Sequence, residues 1–111
     1  MNQIEARISA IETYENINMV VFDVNGISMR MMALALPENY MVGTRVMIGA
    51  KATHIALALE SSKRISIANQ IPITITKIEN GHVLCRLFFT FFDTTWESVI
   101  TLQSAQAMQL H

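Results

Sequence analysis

Ser66-Ile67-Ala68-Asn69-Gln70-Ile71-Pro72-Ile73-Thr74-Ile75-Thr76-Lys77-Ile78-Glu79 decides the fold, because from Asn69 onward it repeats the opening of the chain at an offset of 67 residues. Aligned without a gap, Asn2, Gln3, Ile4, Ile8, Ile11 and Glu12 fall on Asn69, Gln70, Ile71, Ile75, Ile78 and Glu79, six identities in eleven positions. Two copies of one unit are therefore present, and the repeat has to be read before any single element. Beyond the identities the pattern persists: Val20, Phe22 and Val24 fall on Leu87, Phe89 and Phe91, an alternating apolar face in each copy. Ile4, Ile8 and Ile11 alone would also fit a helical face. The β-branched run Ile73-Thr74-Ile75-Thr76 and Pro72 decide for strand. In both copies the apolar phase then shifts by an odd step, from Ile8 to Ile11 and from Ile75 to Ile78, which predicts a bulge or strand end near Ala10 and Lys77.

Working outward, Gln3 to Glu12 and Ile17 to Val24 read as strands. Asn25-Gly26 is a pair suited to the positive φ angles of a tight hairpin. Ile27 to Leu36 returns as a third strand, so apolar that it is buried on both sides or lies against a partner, until Pro37 stops it. Arg45 to Ile48 and Lys51 to Leu59 complete five short strands, the pattern of a small closed barrel. The second copy runs Ile65 to Ile78, His82 to Phe92 and Thr95 to Thr101, with a turn at Asp93-Thr94. It ends in Leu102 to Leu110, which lacks β-branched residues and reads as a short helix capped by Thr101 or Ser104. The expected organisation is a first repeat over residues 1–60, a polar linker over 61–65 and a second repeat over 66–111. That second repeat is incomplete, because no residues remain for the counterparts of Arg45 to Leu59. Either the second repeat is truncated here, or a neighbouring element or chain covers the open edge, since bare strand edges invite association.

Composition narrows the function. With 111 residues, 51% of them hydrophobic, the chain can bury a core, but two repeats of this size would be marginal apart, which points to one intimate unit and a homo-oligomer. Eight basic and nine acidic residues leave a net charge of −1 with no run of one sign, against a broad nucleic-acid or anionic-membrane surface. No apolar run spans a bilayer, and Met1 to Arg7 carries acid and base in place of a signal peptide's apolar core. With Cys85 as the sole cysteine, the expected compartment is reducing cytoplasm. The eight methionines read as adaptable core or interface filler. His54, His82 and His111 have no metal-site spacing, Cys85 has no motif around it, and neither a GxGxxG nor a phosphate loop occurs. No enzyme, cofactor or metal is expected. What remains is a set of small hydroxyls, Ser66, Thr101 and Ser104, beside Lys51 and Thr53. Such groups suit a tetrahedral oxyanion, which needs several donors and limited positive charge; each also suits an ordinary strand or cap position.

Three segments resemble the molybdate-binding Mop family, whose units also occur as TOBE domains in molybdate-responsive regulators and transport ATPases. Ser66-Ile67-Ala68-Asn69-Gln70-Ile71 is similar to its opening Ser-Ala-Arg-Asn-Gln-Leu. Ile100-Thr101-Leu102-Gln103-Ser104-Ala105 is similar to its Ile-Thr-x-x-Ser-Ala, and Lys51-Ala52-Thr53-His54-Ile55 to its Lys-Ala-Thr/Ser-x-Val. The resemblance implies tandem all-β barrels of the oligonucleotide/oligosaccharide-binding type, often with exchanged strands. It implies molybdate or tungstate as ligand, in storage, homeostasis or sensing. Ser66, Thr101 and Ser104 would donate hydroxyl hydrogen bonds and Ala68 its backbone N–H; Lys51 and Thr53 would come from the other copy or another subunit. Ala68 stands where the family often has arginine, and Ala33-Leu34-Ala35-Leu36-Pro37 occupies the Thr-x-x-Ser place in the first copy, so fewer sites than in a full tandem protein are expected. Two other readings stand beside this one. The first is a structural or oligomerisation module with a decayed anion site that contacts a transporter or regulator. The second is single-stranded nucleic-acid binding, which needs exposed aromatics on a basic groove, whereas Trp96 and the phenylalanines follow the apolar alternation of a core.

Overall fold

The computed structural model describes residues 2–110 and is mostly β with one short helix. In chain order the elements are β1 (Asn2–Tyr14), β2 (Ile17–Val24), β3 (Ile27–Ala33), β4 (Arg45–Ala50), a single 3-10 turn (Ala52–His54), β5 (Ile75–Asn80), β6 (Leu84–Phe91), β7 (Thr94–Thr101) and α1 (Leu102–Ala107). One sheet has the order β3-β2-β1-β4 and the other β5-β6-β7.

The 67-residue offset holds in the hydrogen-bond ladders as well as in the sequence. In β1/β2, Ile8 faces Phe22 and Ile11 faces Val20; in β5/β6, Ile75 faces Phe89 and Ile78 faces Leu87. In β2/β3, Asn18 faces Ala33 and Val24 faces Ile27; in β6/β7, Cys85 faces Ile100 and Phe91 faces Thr94. The register slips between Ile8 and Ala10 in one sheet and between Ile75 and Lys77 in the other, at the positions where the apolar phase jumps. The extra residue lets Ile8 and Ile11, an odd number apart, both turn toward the interior.

Several expected boundaries are corrected. β3 ends at Ala33, short of Leu36, and β6 starts at Leu84 rather than His82. The turn after β6 is Phe92-Asp93, and Phe92 (φ 55°) holds the place of Asn25 (φ 50°) in the first hairpin. Two expected strands are largely absent. Lys51 to Leu59 forms the 3-10 turn and an irregular segment, and of Ile65 to Ile78 only the part from Ile75 pairs in a ladder. In both, every second residue is half-buried, Ile55 and Leu57 in one and Ile71, Ile73 and Ile75 in the other. Alternation reports burial on one side of an extended chain; it does not require a neighbouring ladder, and Pro72 has no N–H to give one.

The chain divides into two compact units that interleave in sequence. One contains Ile4–Ile48 and Ile65–Asn69; the other contains the segment ending at Gln3, Gly49–Arg64 and the segment from Gln70 onward. In the first, the buried apolar residues are Ile4, Ala6, Ile8, Val20, Phe22 and Val24. In the second, Cys85, Leu87 and Ala105 form a buried cluster with Leu57, Ile75, Ile78, Ile100, Leu102 and Leu110 packed on it. Trp96 is also buried there, edge-on to Phe91 at 5.0 Å with its indole N–H donating to the Gln3 carbonyl (3.3 Å), so it is a core residue.

Candidate functional site

Thr101 ends β7 and caps α1. Its extended backbone (φ −69°, ψ 147°) leaves the side chain free to turn back, and Oγ1 accepts the Ser104 N–H at 3.0 Å. Thr101 Oγ1 in turn donates to Ser104 Oγ at 2.9 Å, which leaves the Ser104 hydroxyl proton available to an outside acceptor. The strand-to-helix junction is fixed from below by Ala105, buried on Cys85 and Leu87, and by the Leu102 N–H bonded to the Val83 carbonyl at 2.7 Å.

Lys51 precedes the 3-10 turn with an extended backbone (φ −68°, ψ 144°), its carbonyl accepting the His54 N–H at 2.9 Å. Thr53 lies within the turn. Both side chains are exposed, and Lys51 makes no ion pair among the described residues. The turn packs against β7, and the connection between them is Ser98: fully buried, it donates Oγ to the Ile55 carbonyl at 2.7 Å. Lys51, Thr53, Thr101 and Ser104 therefore belong to one compact unit. Ser66 and Ala68 belong to the other, exposed on a segment tied to β3.

That tie is a residue the motif reading passed over. Asn69 Oδ1 accepts the Arg30 N–H and Asn69 Nδ2 donates to the Arg30 carbonyl, each at 2.8 Å. Asn2 does the same to Glu97, with both bonds at 2.8 Å. The signal was present in the sequence as the Asn2/Asn69 identity, and Arg30 and Glu97 are themselves 67 residues apart. Ser98 had no such signal, since a serine within a strand is ordinary.

Three of the other cations are engaged, Arg45 with Glu5 at 3.5 Å among them. Arg86 pairs with Glu97 at 2.8 Å and Glu79 at 3.3 Å and lies over the Phe88 ring; Lys77 pairs with Glu79 at 3.1 Å. Among the described residues no cluster of His, Cys, Asp or Glu could hold a metal ion, and no helix is long and apolar enough to cross a membrane. His111 lies outside the described residues.

No protein-family model matches the chain, and no match is found among curated proteins. Among solved structures, the chain is similar to the cytoplasmic molybdate-binding protein ModG, in a crystal form with molybdate bound. The TM-score is 0.86 at 22% identity, covering 99% of this chain and 82% of ModG. The chain thus shares its fold with ModG over nearly its whole length.

Proposed function

We propose that this chain is a non-enzymatic, cytoplasmic binder of molybdate or tungstate, acting in storage, homeostasis or sensing. The observation that carries the reading is the grouping of Lys51, Thr53, Thr101 and Ser104 in one compact unit of a fold shared with a molybdate-bound protein. The Thr101 to Ser104 hydroxyl relay ends in a free donor, and Lys51 supplies one uncommitted positive charge. Together they suit a tetrahedral dianion that must be held by hydrogen bonds more than by countercharge. Ser66 and the Ala68 N–H are the remaining donors of the proposed set, with Lys51 and Thr53 reaching them from the other copy or another subunit.

All six residues are exposed in the single chain, so excluding water from the anion requires another surface. The β3 region offers one, with Met31, Met32 and Leu34 at 48%, 64% and 75% exposure; this supports a homo-oligomer. The matching ladder registers support reading residues 1–60 and 66–111 as two copies of a Mop-like barrel repeat joined through 61–65. Leu34 stands where the first copy would need the Thr101 hydroxyl, which supports a reduced number of sites.

Titration calorimetry tests the proposal. The wild-type protein should give saturable heat with molybdate and tungstate, and Lys51→Ala and Ser104→Ala should each weaken binding at least tenfold. Unchanged affinity in both variants would remove the site. The second reading, an oligomerisation module that contacts a molybdate transporter or regulator, is favoured by the same exposed apolar β3 residues and by Ala68. Flat titrations with molybdate, tungstate and sulfate from a folded oligomer would select it.

A further inference from the structure

We propose that Asn69 is a positioning residue for the oxyanion site: its carboxamide, paired with both backbone groups of Arg30, fixes the segment that carries Ser66 and Ala68. The inference rests on the functional reading above and assigns a role to a side chain outside the proposed donor set.

β3 is the edge of its sheet, and an edge strand presents unpaired N–H and C=O groups outward. A carboxamide matches one residue of such an edge, because its oxygen accepts while its nitrogen donates, as a neighbouring strand's peptide group would. Asn69 does this to Arg30 with two bonds of 2.8 Å. Asn69 is one residue from Ala68 and three from Ser66, so little chain lies between the clamp and the donors. The clamp is matched on its other side: Gln70, in the other compact unit, donates Nε2 to the Ser62 carbonyl at 2.7 Å and accepts the Ser62 N–H at 2.8 Å.

The same device occurs once more, which makes it separable from general stability. Asn2 pairs with Glu97 on β7, also an edge strand, by two bonds of 2.8 Å. Asn2 is buried and holds the start of β1, which carries none of the candidate donors, to β7 at Glu97, four residues ahead of Thr101, whose own place is set by its pairing with Leu84. Breaking one clamp should disturb the anion site; breaking the other should not.

The test compares Asn69→Ala, Asn69→Asp and Asn2→Ala in the full chain by molybdate titration, thermal unfolding, and backbone order and amide exchange in the free protein. Asn69→Ala should weaken molybdate at least tenfold, lower the order parameters of Ser66 to Ala68 from ~0.85 toward ~0.6 and speed exchange of the Arg30 amide. Asn69→Asp should match it at neutral pH, since a carboxylate can accept from Arg30 but cannot donate to its carbonyl. Asn2→Ala should lower the unfolding temperature while affinity stays within twofold. Should Asn2→Ala not fold, Gly26→Ala, strained at φ +92°, serves as the destabilised control.

Unchanged affinity in Asn69→Ala, or an equal loss in the control, overturns the inference. If the wild type binds no molybdate, the functional reading falls by itself and the free-protein measurements decide. Loosening confined to Ser66–Ala68 and Arg30 upholds Asn69 as the clamp of that segment, and unaltered order there removes it.

Discussion

Ser98→Ala tests how the Lys51 segment is held. The Ser98 side chain is fully buried on β7, and its hydroxyl donates to the Ile55 carbonyl at 2.7 Å. Alanine removes the donor while changing volume little, so cavity formation contributes minimally. The lost hydrogen bond costs about 0.5–1.5 kcal/mol net, and leaving the part-buried Ile55 carbonyl without its partner raises the total to about 1–3 kcal/mol. At this chain length roughly 4 °C follows from each kcal/mol, so the unfolding temperature should fall by about 4–12 °C. Urea unfolding should show a lower midpoint with unchanged slope, since the surface exposed on unfolding is the same. Hydrogen exchange should also rise at His54 and Ile55, whose N–H groups bond within the 3-10 turn that Ser98 anchors. A loss below about 0.5 kcal/mol, or unaltered exchange at His54 and Ile55, would refute the claim that this one bond ties the segment to β7.

Gly49→Ala should cost about 1–3 kcal/mol in urea unfolding. Its new Cβ would lie 2.8 Å from the Asn2 carbonyl oxygen, on backbone already held by the Asn2 clamp, and a neutral result would show that β1 yields there at no cost. Arg86→Ala should change stability by no more than about 1 kcal/mol despite its contacts with Glu79, Glu97 and Phe88, because the side chain is 50% exposed. A loss above about 2 kcal/mol would show that these charges act as one network.

The sequence by itself determined the local features. Strand β2 has the expected bounds, the bulges occur at Ile8/Ala10 and Ile75/Lys77, Asn25-Gly26 turns the first hairpin, and Thr101 caps a short terminal helix. Each follows from neighbours within a few residues: apolar alternation, a phase jump, a pair tolerant of positive φ, and a hydroxyl ahead of a helix. Only the tertiary structure decided what each stretch packs against. Ile55, Leu57, Ile71 and Ile73 alternate like strand residues, yet their segments lie outside the ladders, because one-sided burial gives the same period whatever covers it. Asn69 and Gln70 are adjacent in sequence but clamp different compact units, and Gly49–Arg64 belongs to the unit that holds β5–β7 although β1–β3 precede it in the chain. Sequence order sets which residues can pair locally, whereas the choice of long-range partner is made by which surface each side chain closes, and no period in the chain records that choice.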